Sequence, residues 1–186
     1  MPQEGQICGE CQARHPAFAQ VVTPFRYEFP LDALIPAFKH HGQLAYGRLL
    51  ARLLSDAVRF HYDEHGQVLP DCVIAMPLHR RRLAERGFNQ AEELARPIAR
   101  SLAVPLRSDL LKRSRATRPQ QGLAAKARRR NLIGAFYCPT PRALAGLHVA
   151  LVDDVVTTGS TVEEASRTLL SAGAASVSIW CAARTP

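Results

Sequence analysis

Several features missing from this 186-residue chain narrow its identity before any motif is considered. No apolar run approaches the roughly 20 residues that a helix needs to cross a bilayer. The opening MPQEGQICGECQ has neither a basic start nor an apolar signal core. The expectation is a cytoplasmic protein with no membrane partner. Its five cysteines do not form a disulfide framework, because Cys72, Cys138 and Cys181 lie singly in apolar surroundings and read as reduced thiols. No GxxxxGK(S/T) occurs, which argues against a P-loop nucleotide site. No lysine follows Lys126, which argues against a response-regulator receiver, whose chemistry needs one after a later strand. Aromatic side chains are absent between 112 and 131, so the basic stretch there lacks a stacking platform for single-stranded nucleic acid.

What is present describes one folded domain. An apolar content of 47% with 22% charged residues is ordinary for a globular protein, and the length suits one core with a small N-terminal appendage. Charge is unevenly spread. Between His79 and Arg130, fifteen Lys and Arg stand against four acids, so this segment carries more than the whole net charge of +8. A basic face of that kind calls for a polyanion, either nucleic acid or a phosphate-rich small molecule.

Apolar periodicity predicts alternating strands and helices. A short strand is expected within 21–29, and a helix over the following stretch, where Leu44, Leu49, Leu50, Leu53, Leu54 and Val58 recur at helical spacing. A buried strand at 72–76 ends in Pro77 and leads to a basic loop, with Met76-Pro77 a candidate cis bond. A helix over 89–102 should be bent or interrupted at Pro97, and a strand is plausible around 105–112. Residues 114–131 suit a mobile loop. Strands at 147–152 and 176–182 flank a helix at 160–171 stopped by Gly173. This alternation argues for βαβ units and a mainly parallel sheet flanked by helices, an α/β fold.

The segment VALVDDVVTTGST, residues 149–161, carries the chemistry. Ligands of an open parallel sheet bind beyond the carboxyl ends of its strands, which places Asp153 and Asp154 at a site mouth. Thr157, Thr158, Gly159, Ser160 and Thr161 then open a helix whose backbone N–H groups cradle an anion. Carboxylates repel phosphate, so the acids belong beside it, accepting hydrogen bonds from sugar hydroxyls or sitting near a cation. Ribose 5-phosphate has both parts at about that separation.

The same segment resembles the phosphoribosyl pyrophosphate (PRPP) motif of type I phosphoribosyltransferases. Two further stretches resemble the ComF family, a phosphoribosyltransferase-like group linked to bacterial DNA uptake. One is MPLHRRRLAERGFNQAEELA (76–95), through Pro77, Leu78, Arg82, Arg86, Gly87, Phe88, Asn89 and Gln90. The other is TRPQQGLAAKARRRNLIGAF (117–136), through Thr117, Gln120, Leu123, Arg128, Asn131, Ala135 and Phe136. The resemblance implies a type I phosphoribosyltransferase fold over 21–186 with a flexible lid at 117–136. It further implies PRPP with magnesium as ligand, Asp153 and Asp154 on the ribose, the 157–161 loop on its 5-phosphate, and Arg82, Arg86, Gln120 and Arg128 as further binding residues. Thr157 stands where purine-salvage enzymes of the fold carry an aspartate, which disfavours hypoxanthine or guanine as acceptor. A closed zinc site needs four ligands; Cys8 and Cys11 supply two, so residues 1–20 read as a remnant of a zinc-ribbon-like segment. A homo-oligomer is expected. Three functions stay open: a transferase, a non-catalytic PRPP or nucleotide sensor, and a partner of single-stranded DNA or of a DNA-uptake helicase.

Overall fold

The computed structural model describes residues 15–115 and 132–185. In chain order the elements are β1 (Gln20–Val22), β2 (Phe25–Arg26), α1 (Leu31–His41), α2 (Leu44–Glu64), β3 (Cys72–Ala75), α3 (Arg80–Arg86), α4 (Gln90–Leu102), β4 (Lys112–Arg113), β5 (Phe136–Tyr137), a 3-10 turn (Pro141–Leu144), β6 (His148–Val156), α5 (Ser160–Ser171) and β7 (Ser176–Arg184). The main sheet has the order β1-β7-β6-β3, with β2 also on β7, and every pairing in it is parallel. Val149 to Val152 are fully buried, as a central strand covered on both faces requires.

Topology positions the site. The β6–α5–β7 crossover runs toward β1, whereas the chain leaving β3 runs the other way: through α4 it returns at Leu106, which makes a single parallel bridge to Val73. Right-handed crossovers in opposite directions put α4 and α5 on opposite faces. They also make the β3/β6 boundary the switch point where a crevice opens beyond the carboxyl ends. On one face α2 and α4 pack together, with Leu54, Val58, Leu94 and Ile98 fully buried. Asn89 ties α4 to the end of β3. Its Nδ2 donates to the Met76 carbonyl at 3.1 Å, while its Oδ1 accepts from the Ala91 N–H at 3.1 Å and caps the helix.

The α/β architecture matches the sequence reading; several local expectations do not survive. Residues 31–64 form two helices, because Gly42 adopts φ +63° and closes α1 with a left-handed cap. The 21–29 strand is two short pieces on β7. The basic stretch after Pro77 is the helix α3, capped by the His79 ring, which accepts from the Arg81 N–H at 3.2 Å. Of the bend or interruption expected at Pro97, the interruption does not occur: α4 spans Gln90–Leu102. Around 105–112 the chain makes only the Leu106 bridge and the two residues of β4, and the latter pair antiparallel with β5. Among the described residues the cis peptide is Phe29-Pro30, not Met76-Pro77. Free thiols at Cys72, Cys138 and Cys181 match expectation. Residues 117–131 of the expected lid, and 1–14 of the expected zinc-ribbon remnant with Cys8 and Cys11, lie outside the described residues.

Candidate functional site

Strand β6 outlasts β3. The last β3–β6 pair is Ala75 with Val152, after which the Met76 N–H closes on the Val152 carbonyl at 2.8 Å and Pro77 turns away; β7 continues beside β6 to the Val156–Arg184 pair. The acids expected just beyond the strand are therefore inside it, at the point where one edge loses its neighbour. Both are buried, Asp153 at 9% and Asp154 at 3% exposure. Strand alternation sends them to opposite faces. Asp154 takes the face of Val152 and Trp180, where α2 presents Tyr62 edge-on to the Trp180 ring. Asp153 takes the face of Cys181.

On its face Asp153 lines a hollow of about 20 Å³ together with Thr157, Thr158, Gly159, Ser160 and Thr161. Gly159 has φ +71°, and a Cβ there would meet nothing within 4 Å, so the glycine serves the left-handed backbone rather than a crowded contact. Helix α5 starts at Ser160, and its N-cap Gly159 makes no side-chain cap bond; the first turn of a helix is where an anion meets backbone N–H groups. The Thr158 and Ser160 hydroxyls, 3.0 Å apart, edge the loop.

Asp154 is met from its own face by Lys39 of α1, whose Nζ lies 2.8 Å from Oδ2. Lys39, Arg82, Arg86 and Thr157 also line a cavity of about 680 Å³, with Tyr27 and Phe88 as its aromatic walls. Gly87, at φ +82°, ends α3 just after Arg86, whose guanidinium donates to the Gln90 carboxamide. These charges are held at a cost. Burial pushes Asp153 up to about 6 against the pull of Lys39 and Arg113. Burial likewise lowers Lys39 to about 8, with Asp153 opposing and Arg86 and Arg82 reinforcing the shift. Burial, then Arg82, lowers Arg86. A cleft that concentrates perturbed groups of both signs is the usual mark of a functional site.

Of the residues singled out in the sequence, Asp153, Asp154, the 157–161 loop, Arg82 and Arg86 converge on this crevice. Gln120 and Arg128 lie outside the described residues. Arg81 is turned to Glu85, at 2.9 Å, and Arg80 lines a different cavity. Sequence reasoning missed Lys39 and Arg113. Arg113 packs its guanidinium 5.3 Å from the Phe136 ring centroid. No spacing in the sequence connects either residue to the acids. No group of three or more His, Cys, Asp or Glu that could hold a metal occurs among the described residues. No helix among them is long and apolar enough to cross a membrane.

The chain is similar to known proteins along most of its length. The phosphoribosyl transferase domain family matches residues 89–186. The DNA utilization protein YhgH of Escherichia coli O157:H7 is 42% identical over 178 residues, covering 96% of this chain and 78% of that protein. Competence protein F of Haemophilus influenzae is 40% identical over 180 residues, at 96% and 79% coverage. Competence protein ComFC of Bacillus subtilis is 31% identical over 165 residues, at 88% and 59%. Among solved structures, the glutamine PRPP amidotransferase of B. subtilis aligns with TM-score 0.45 at 18% identity, over 70% of this chain and 24% of that one.

Proposed function

Because the chain belongs to the ComF family of phosphoribosyltransferase-domain proteins, we propose that its crevice binds PRPP and that the domain transfers the phosphoribosyl group to an acceptor. The observation that carries this reading is that Asp153 and the uncapped start of α5 face one hollow. The hollow adjoins the cavity of Lys39, Arg82 and Arg86 through the shared Val155 and Thr157. The 5-phosphate takes the N–H groups of the 157–161 loop, the ribose hydroxyls donate to Asp153 and Asp154, and the pyrophosphate lies toward Arg82 and Arg86. Charge-assisted hydrogen bonds of this kind contribute about 1.5–3 kcal/mol each.

Cations at the leaving group favour departure of pyrophosphate, and the burial that perturbs Asp153 also strengthens each electrostatic contact with the developing ribosyl cation. No covalent enzyme nucleophile is needed. Magnesium ordinarily binds through one or two carboxylates and substrate phosphates. Asp153 and Asp154 are the carboxylates that would help hold it, and it would neutralise charge on the departing pyrophosphate. The relatives' names tie the family to DNA use and competence, and the proposal extends to a cytoplasmic step of DNA uptake.

The test is titration calorimetry with PRPP and magnesium. Asp153→Asn and Asp154→Asn should each weaken binding by about 10- to 100-fold; unchanged binding by both variants removes the assigned site. Pyrophosphate release across a panel of bases and amines then separates transfer from sensing, because a sensor binds PRPP and releases none.

A further inference from the structure

Lys39 is held in a costly position. Its helix turn is fixed: Phe38 is fully buried, stacks at 5.7 Å from the Phe88 ring, and lies under Gly47, where a Cβ would come within 2.5 Å of the Phe38 ring. The backbone cannot withdraw, so the amine reaches into a cavity it shares with two guanidiniums, those of Arg82 and Arg86. Its side chain is 24% exposed and its salt bridge is to Asp154. Asp154 is also a carboxylate assigned above to a ribose hydroxyl. A sugar hydroxyl donating to Asp154 and the Lys39 ammonium therefore compete for one group, while a bound pyrophosphate would bring several negative charges to the same cavity.

We propose that Lys39 is a ligand-binding residue that exchanges partners, ion-paired with Asp154 in the free protein and bonded to the pyrophosphate group when PRPP enters. Its flexible four-carbon stem and three rotatable donors suit such a swing, which a rigid guanidinium fork would make less readily. The exchange releases Asp154 for the ribose at the moment the pyrophosphate arrives. It also prevents three cations from facing one another without an anion between them. Selectivity follows: PRPP gains from Lys39, whereas ribose 5-phosphate, which lacks the pyrophosphate, must break the ion pair without recompense. This inference rests on the PRPP reading above.

The experiment compares PRPP with ribose 5-phosphate on the full chain by calorimetry. Lys39→Met should weaken PRPP by about 10- to 100-fold while ribose 5-phosphate binds as well as to wild type or better, and Lys39→Arg should recover part of the PRPP affinity. Equal weakening of both ligands would make Lys39 a mere holder of Asp154, and no change in either would remove it from the site; both results overturn the proposal. Failure of the wild-type protein to bind either ligand overturns the PRPP reading itself. Reductive methylation read by peptide mapping needs no variant. Inorganic pyrophosphate should protect Lys39 and not Lys112, whereas equal labelling of Lys39 with and without pyrophosphate overturns the exchange.

Discussion

At the amino end of the sheet the polar side chains close on one another, whereas at the carboxyl end they are buried as charges in conflict. Gln20 of β1 donates to the Tyr62 hydroxyl and the Gln67 side-chain Oε1, each at 3.1 Å. Ser178 of β7 pairs with the His148 ring at 2.9 Å, and the Asp71 carboxylate accepts the His148 N–H at 2.8 Å. These side chains satisfy one another, and such a network rigidifies without inviting a ligand. Beyond Val152 the opposite holds. Asp153, Asp154, Lys39, Arg82 and Arg86 gather at the end of β6, where burial works against the charge of Asp153, Lys39 and Arg86. One sheet thus keeps mutually satisfied polar groups at one end and charges opposed by burial at the other.

The largest effect that would sharpen this contrast is on pH-dependent stability. Asp153 is raised in the folded protein from 3.8 to about 6, so the stability it contributes is fully present below pH 3.8 and lost as pH rises through about 6. Lys39 is lowered from 10.5 to about 8, so its contribution is present above pH 10.5 and lost as pH falls through about 8. Stability should therefore be lowest between about pH 6 and 8, where both groups are charged. Asp153→Asn should flatten the acid limb and raise stability at pH 7, even as ligand binding falls. Lys39→Met should flatten the alkaline limb. Denaturant melts across pH check both; an Asp153→Asn protein less stable than wild type at pH 7 would mean that the carboxylate is a structural group after all.

The second effect lies at the amino end. Gln20→Ala removes the donor to the buried Tyr62 hydroxyl and should cost about 1–3 kcal/mol, with PRPP affinity unchanged. Loss of affinity at matched stability would show that the two ends are coupled.

How far the site could be read from the sequence follows the same division. Asp153, Asp154 and the 157–161 loop were legible because they are contiguous and local: a strand end, two acids and a helix start carry their geometry with them. Lys39 was not legible. Its role depends on Gly42 ending α1 and on Phe38 docking against Phe88, and neither contact leaves a spacing to read. The parallel sheet was visible in the alternation of apolar strands and amphipathic helices. The strand ends were not, because how far β6 outlasts β3 is set by Pro77 turning the neighbouring chain away. The α3 helix carries no signature in the sequence, because it buries no residue and apolar periodicity has nothing to report.

The smallest predicted effect separates the two ends most cleanly. Gly159 opens α5 at φ +71°, and Gly66 follows α2 beside Gln67 of the closed network at φ +58°; at each a Cβ would meet nothing within 4 Å. The conformational strain of a side chain is therefore the same at both, about 1–2 kcal/mol for alanine. What differs is what the open space is for. At Gly159 it is the approach to the hollow, so a methyl group there stands between the loop and an incoming phosphate. At Gly66 it faces solvent. Gly159→Ala and Gly66→Ala should lower thermal stability alike, while Gly159→Ala alone weakens ribose 5-phosphate. Equal affinities in the two variants would mean that the phosphate does not approach the start of α5, and the functional end of the sheet would have to be sought elsewhere along the crevice.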